Sequence, residues 1–174
     1  MSQDVLIYEF KNSFFVIQRS QQGTRTNDKK YQHASENVDL FAKLDIDCLN
    51  EDIGRAVIGA LDKFDSLLPK YDSWELKELN AQLCSWVGSR GINVLNKNSR
   101  LVQVIRDCGR LSILPFDNYI KNPWYGPMIK EAGYGKDIIF ETSNDSSCET
   151  IGKLIFEAFE VSTYNPERKD ARRQ

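Results

Sequence analysis

One imidazole, four thiols and a few paired carboxylates are the groups in this 174-residue chain that could do chemistry. Acid–base or nucleophilic catalysis would require His33 to be oriented against a serine or cysteine. His33 instead lies in "SQQGTRTNDKKYQHASEN" (20–37), a polar run with almost no apolar residue to hold or tune a ring, and no G-x-S-x-G turn accompanies it. Cys48, Cys84, Cys108 and Cys148 are widely scattered without a C-x-x-C pair, so they read as reduced, mostly buried thiols rather than a zinc set. There is no P-loop and no G-x-G-x-x-G; "GYG" at 133–135 is too short to count. The acid pairs Glu51-Asp52 and Asp45-x-Asp47 suit an exposed turn as well as an active site. The reading is a protein that is not an enzyme and uses neither cofactor nor metal. A hydrolase built on His33 is the rival that replacing His33 would test.

Composition sets the frame. With 41% hydrophobic residues, 174 positions suffice for one domain with a real core. Lys and Arg number 23 against 25 Asp and Glu, a net charge of −2, so any nucleic-acid footprint would have to be local. Apolar runs are too short to span a membrane, and "MSQDVLIYEF" has neither the basic region nor the apolar stretch of a signal peptide. A cytoplasmic protein with no membrane partner is expected.

The elements that must position any site follow from periodicity. "DVLIYEF" (4–10) and "SFFVIQR" (13–19), separated by "KN", predict a hairpin, and 20–37 a long loop. "VDLFAKLDI" (38–46) alternates as a strand, with Val38, Leu40, Ala42, Leu44 and Ile46 opposite a mostly polar face of Asp39, Phe41, Lys43 and Asp45. "DSWELKELNAQLCSWVGSR" (72–90) carries Leu76, Leu79, Leu83, Trp86 and Val87 on one helical stripe. A short connecting turn, strands at 101–105 and 111–114 around Gly109, and a loop at 117–136 containing Trp124 and Tyr125 come next. "DIIFET" (137–142) reads as a further strand, and "PERKDARRQ" (166–174) as a disordered charged tail on a domain spanning 1–165.

One phrase occurs twice. "IGRAVIGALDKFDS" (53–66) is echoed by "IGKLIFEAFEVSTY" (151–164), each after a strand and an acidic turn. Ile53, Val57, Ala60, Leu61 and Phe64 share one helical stripe, as do Ile151, Ile155, Ala158 and Phe159. Asn50 is the expected N-cap of the first helix, with Glu51 and Asp52 where the helix dipole favours negative charge. Gly54 and Gly152 are the informative letters, because glycine inside a helix costs roughly 1 kcal/mol against alanine. Close approach of another backbone would explain both. A phosphate cradle would not sit well beside Glu51, Asp52 and Glu149. The predicted fold is α+β, a mainly antiparallel sheet covered by about three helices starting near Asn50, Ser73 and Ser147, with 38–46 and 137–142 in the same sheet.

Surface charge is what remains for function. From Glu36 to Asp52 six acids, Glu36, Asp39, Asp45, Asp47, Glu51 and Asp52, face the single base Lys43. Such a run is either a solvated face or a steering surface for a basic protein. The site expected on the second reading comprises Asp45, Asp47, Glu51 and Asp52, with Trp124 and Tyr125 as aromatic anchors. The alternative is a small nucleic-acid-binding module using Lys97, Arg100, Arg106 and Arg110 along the central hairpin, although no RNP-like aromatic pair accompanies them.

In order along the chain, "DIGRAVIGAL", "SWVGSRGINVLNKNSRLVQV" and "IGKLIFEAF" resemble the pattern of bacterial contact-dependent growth inhibition immunity proteins of the CdiI type. The resemblance covers roughly 38–162 and rests on the helix starts at Gly54 and Gly152 and on Asn96-Lys97 followed by Arg100, Val102 and Val104. It implies an α+β immunity protein in the cytoplasm that occludes the toxic C-terminal domain of a cognate effector, in many such systems a nuclease. No direct contact with nucleic acid is implied, and no toxin contacts transfer residue by residue.

Overall fold

The computed structural model describes residues 3–21, 35–64, 73–118, 125–127 and 137–162. Strands β1 (Gln3–Phe10) and β2 (Ser13–Gln21) form the expected hairpin, with Phe10 opposite Ser13. Its two turn residues, Lys11 and Asn12, have φ of 50° and 59°, the backbone twist that two-residue hairpins favour. β3 (Ser35–Asp45) pairs β2, and β1 pairs β4 (Arg100–Asp107), which pairs β5 (Arg110–Asn118). β6 (Tyr125–Pro127) and β7 (Phe140–Ser143) both pair β5, at its two ends. The result is a seven-stranded sheet in the order β3-β2-β1-β4-β5-β6 with β7 beside β5, every pairing antiparallel. The strands near 38–46 and 137–142 thus share the sheet, but lie on opposite sides of it.

Apolar residues occur on both faces of the central strands, so both faces must be covered. Val5, Ile7, Phe14, Val16, Val102, Val104, Leu111 and Ile113 point to one side, where they pack on helices α1 (Asn50–Asp62) and α4 (Cys148–Val161) through Ile53, Val57, Leu61, Ile151, Ile155 and Phe159. Leu6, Tyr8, Phe10, Phe15, Ile17 and Leu101 point to the other side, against Leu83 and Val87 of α2 (Ser73–Val87) and Leu95 of α3 (Ile92–Asn98). Burial pushes the Tyr8 hydroxyl up to about 12, with the Arg19 charge opposing and Cys84 adding slightly.

Four sequence expectations are corrected. The segment 92–98 is the helix α3 rather than a turn, because Leu95 finds a full partner surface on the second face of the sheet. Residues 20, 21 and 35–37 extend β2 and β3 into the segment expected to be loop, their backbones being satisfied by each other. A three-residue strand, β6, lies within the stretch expected to be irregular. The last strand begins at Phe140 rather than Asp137.

The alternation expected of 38–46 is also interrupted by two register shifts, one of them between Gln18↔Asp39 and Arg19↔Asn37. Pairing steps from Val16↔Ala42 to Ile17↔Leu40, leaving Phe41 as a bulge. Phe41 therefore turns to the α1 side with Ala42 and Leu44, while Leu40 packs on the opposite face. Its ring lies against Gly59, where an added Cβ would be 2.8 Å from Phe41 Cζ.

At the β4–β5 hairpin, Cys108 and Gly109 have φ of 46° and 79°, again the two-residue turn of that hand, closed by Asp107↔Arg110. Gly109→Ala should lower the unfolding free energy by about 1–2 kcal/mol, since a Cβ disfavours that backbone region even though nothing lies within 4 Å of it. Urea denaturation checks this; an unchanged midpoint would mean that the turn relaxes.

Candidate functional site

The two halves of the repeated phrase meet. A Cβ on Gly54 would sit 1.9 Å from the carbonyl oxygen of Cys148, and a Cβ on Gly152 would sit 1.8 Å from the carbonyl oxygen of Asn50. Each glycine therefore accepts the first-turn backbone of the other helix at a distance no side chain permits, a geometry in which Cα–H groups face carbonyl oxygens. Both are packing glycines, as their cost inside a helix led one to expect. The crossing holds the N-terminal ends of α1 and α4 side by side.

Each end is built by local capping. Ser147 caps α4, its Oγ accepting from Thr150 N at 3.2 Å. For α1 the cap position is Leu49 rather than the expected Asn50, which is already the first helical residue. Leucine has no acceptor to offer, and Asp52 partly compensates by reaching back to accept from Leu49 N at 3.2 Å.

Of the residues expected to form the site, Asp45, Asp47, Glu51 and Asp52 are all exposed and share the β3–α1 connection. Glu51 is paired with Arg55 one turn on, both well exposed, an arrangement worth little in water. The Cys48 thiol beneath them is pushed up first by burial and then by Asp52, Asp47 and Asp45, which marks the negative field the three carboxylates make together. Trp124 lies outside the described residues. Tyr125 contributes backbone pairing with Asn118 in β6, and its side chain lies outside the description. His33 and the tail 166–174 are also outside it.

Sequence reasoning missed two apolar members of this surface. Leu49 is 69% exposed and Ile46 39%, amid the carboxylates, and they are two of the four large apolar side chains that stand exposed among the described residues. For Leu49 the signal was present, since it lies outside the buried stripe that begins at Ile53; Ile46, expected on the apolar face of 38–46, falls just past the end of β3 at Asp45 and stands exposed.

The basic residues of the central hairpin are not brought together. Arg100 ion-pairs with Glu9, donates to Phe159 O at 2.7 Å and lies over the Phe159 ring. Arg106 bonds Asp62 at 2.7 Å and Gln3 at 2.5 Å. Both lie on the α1–α4 side of the sheet, whereas Lys97 is on α3, on the opposite side. Half of the expected cationic set is thus committed to internal partners. Among the described residues, no helix is long and apolar enough to cross a membrane and no group of three or more His, Cys, Asp or Glu could hold a metal.

No family model and no curated protein sequence matches the chain. Solved structures do share its fold. A protein of unknown function from Neisseria meningitidis superposes with a TM-score of 0.67 at 20% identity, covering 94% of this chain and 96% of that one. A chain of the CdiA-CT/CdiI toxin and immunity complex from Yersinia pseudotuberculosis superposes with a TM-score of 0.64 at 17% identity, covering 92% of this chain and 97% of that one.

Proposed function

We propose that this chain is an immunity protein that binds the toxic C-terminal domain of a cognate contact-dependent growth inhibition effector and neutralises it by occlusion, without turnover or cofactor. The observation that carries the reading is the likeness, over nearly the whole of both chains, to a chain of the CdiA-CT/CdiI toxin and immunity complex. The same likeness accords with the order of "DIGRAVIGAL", "SWVGSRGINVLNKNSRLVQV" and "IGKLIFEAF" along the sequence. The acidic β3–α1 connection is the proposed contact surface. A toxin that reads phosphates, a nuclease, presents the cationic surface that Asp45, Asp47, Glu51 and Asp52 complement.

The test is a kinetic binding series against the C-terminal domain of the protein encoded immediately upstream, together with protection of cells producing that domain. The wild-type chain should bind and protect. Asp45→Lys with Asp47→Lys should slow association roughly 10-fold at low salt, and the difference should shrink as salt rises. Absence of wild-type binding and of protection would sink the immunity reading. Unchanged association of the double reversal would move the interface to another face.

A further inference from the structure

We propose that the pocket at the β4–β5 turn is a docking site for the C-terminal end of a toxin helix, the counterpart of a site that this chain fills with its own helix α2 at the β1–β2 turn. The inference rests on the immunity reading and adds a second contact to it, at the opposite end of the sheet. Its ground is a local twofold relation between two β-β-β-α units. The β1–β4 ladder is centred on Leu6↔Gln103, with Val5↔Val104 and Ile7↔Val102 as equivalent flanks. Phe10↔Ser13 closes one turn and Asp107↔Arg110 the other, and both turns are left-handed, at Lys11 and Asn12 and at Cys108 and Gly109. The next strands pair alike, Ser13↔Asp45 corresponding to Arg110↔Ser143. Asn12 O accepts from Ile46 N at 3.1 Å, as Gly109 O accepts from Asn144 N at 2.9 Å. The glycine contacts between α1 and α4 are reciprocal in the same sense.

The two units differ on the face turned away from α1 and α4. At the first turn Lys11 Nζ donates to Gly88 O at 2.6 Å, just past the C-terminal end of α2, and Val87 packs in one cluster with Phe10 and Phe15. The lysine thus serves a helix end, where carbonyls lack partners within the helix. At the second turn no helix among the described residues takes that place, and Ser112 stands opposite Ile105 where Phe15 stands opposite Tyr8. A pocket of about 540 Å³ lies there, lined by Arg110, Glu141 and Ser143 together with Cys108, Gly109 and Thr142. Arg110 and Glu141 are exposed, and neither is ion-paired with another described residue. A helix C-terminus brings free carbonyls and a partial negative charge, to which Arg110 offers a fork of N–H donors and Ser143 a hydroxyl. Glu141 complements a lysine or arginine in the last turn of such a helix, where positive charge is favoured. A helix end of a cationic toxin meets both demands. Strand β1 separates the two turns by roughly 25 Å, a span that one partner domain can cover.

The experiment measures binding of the upstream-encoded toxin domain to the full chain and to three variants, each checked for an unchanged thermal midpoint. Arg110→Ala should raise the dissociation rate constant about 10-fold while leaving association within a few-fold. Arg110→Lys keeps the charge without the fork, and should recover only part of that loss. Glu141→Lys should lower the association rate constant roughly 5-fold at low ionic strength, converging on wild type at high salt. If the wild type binds while Arg110→Ala and Glu141→Lys keep its rate constants, the docking site is overturned and the immunity reading stands. If the wild type does not bind, both fall.

Discussion

Gly54→Ala should lower the unfolding free energy by about 2–3 kcal/mol, although helix propensity alone predicts a gain of up to about 1 kcal/mol. The two effects have opposite signs, and geometry decides between them. The new methyl group would lie 1.9 Å from the Cys148 carbonyl oxygen, an atom of helix backbone with no rotamer to change. Relief requires the two helices to separate, and separation loosens the packing of Ile53, Val57, Ile151 and Ile155 in the same core. Gly152→Ala should behave alike, its methyl lying 1.8 Å from Asn50 O. Because both substitutions strain one crossing, the double variant should be less destabilised than the sum, with a coupling of about 1 kcal/mol or more. Chemical denaturation of the four proteins in the cycle measures this. Additive losses would mean that the glycines act independently, and a stabilised Gly54→Ala would show the helix contact to be wrong.

The second large effect is expected at a polar network on the other side of the sheet. Asp4 is 6% exposed, and its Oδ2 accepts from Arg19 Nη1 and from Gln103 Nε2, the latter at 2.6 Å. The three residues come from adjacent strands β2, β1 and β4, so the network ties the centre of the sheet together. Asp4→Ala should cost about 2–3 kcal/mol, because it removes the buried acceptor shared by Arg19 and Gln103 from a place where little water can replace it. Asp4→Asn keeps an acceptor and the shape of the side chain, and should cost less. Urea unfolding of both variants checks the order and the size. A loss below about 1 kcal/mol for Asp4→Ala would mean that solvent or another carboxylate replaces it readily.

Much of the fold was legible because it rests on local patterns. The strands at 4–10 and 13–19, the stripe from Ile53 to Leu61 and the helix start near Ser147 depend on neighbours within a few residues, and each appears in the structure at or near its expected place, although the helix ends at Asp62 and leaves Phe64 off the stripe. Where tertiary context intervened, local reading erred. Phe41 alternates onto the polar face in the sequence, yet a bulge opposite β2 swings it onto α1. Leu95 sits in a segment too short to declare a helix, and the second face of the sheet supplies the surface that makes it one.

The candidate site shows the same division. Sequence alone established an acidic turn before each copy of the Ile-Gly-basic phrase, and it established that glycine there needed a reason, since both follow from residue type and helix propensity. Only the tertiary structure decided that the two glycines are each other's reason, because the residues lie ninety-eight positions apart and nothing local sets where two helices cross. The crossing sets the first turns of the two helices against each other, whereas the turns that precede them lie at opposite ends of the sheet, beside Asn12 and Gly109. Sequence likewise marked Arg100 and Arg106 as basic residues on a hairpin. Their engagement by Glu9, Asp62, Gln3 and the end of α4 was settled by strand order and helix placement, which bring distant acceptors within 3 Å.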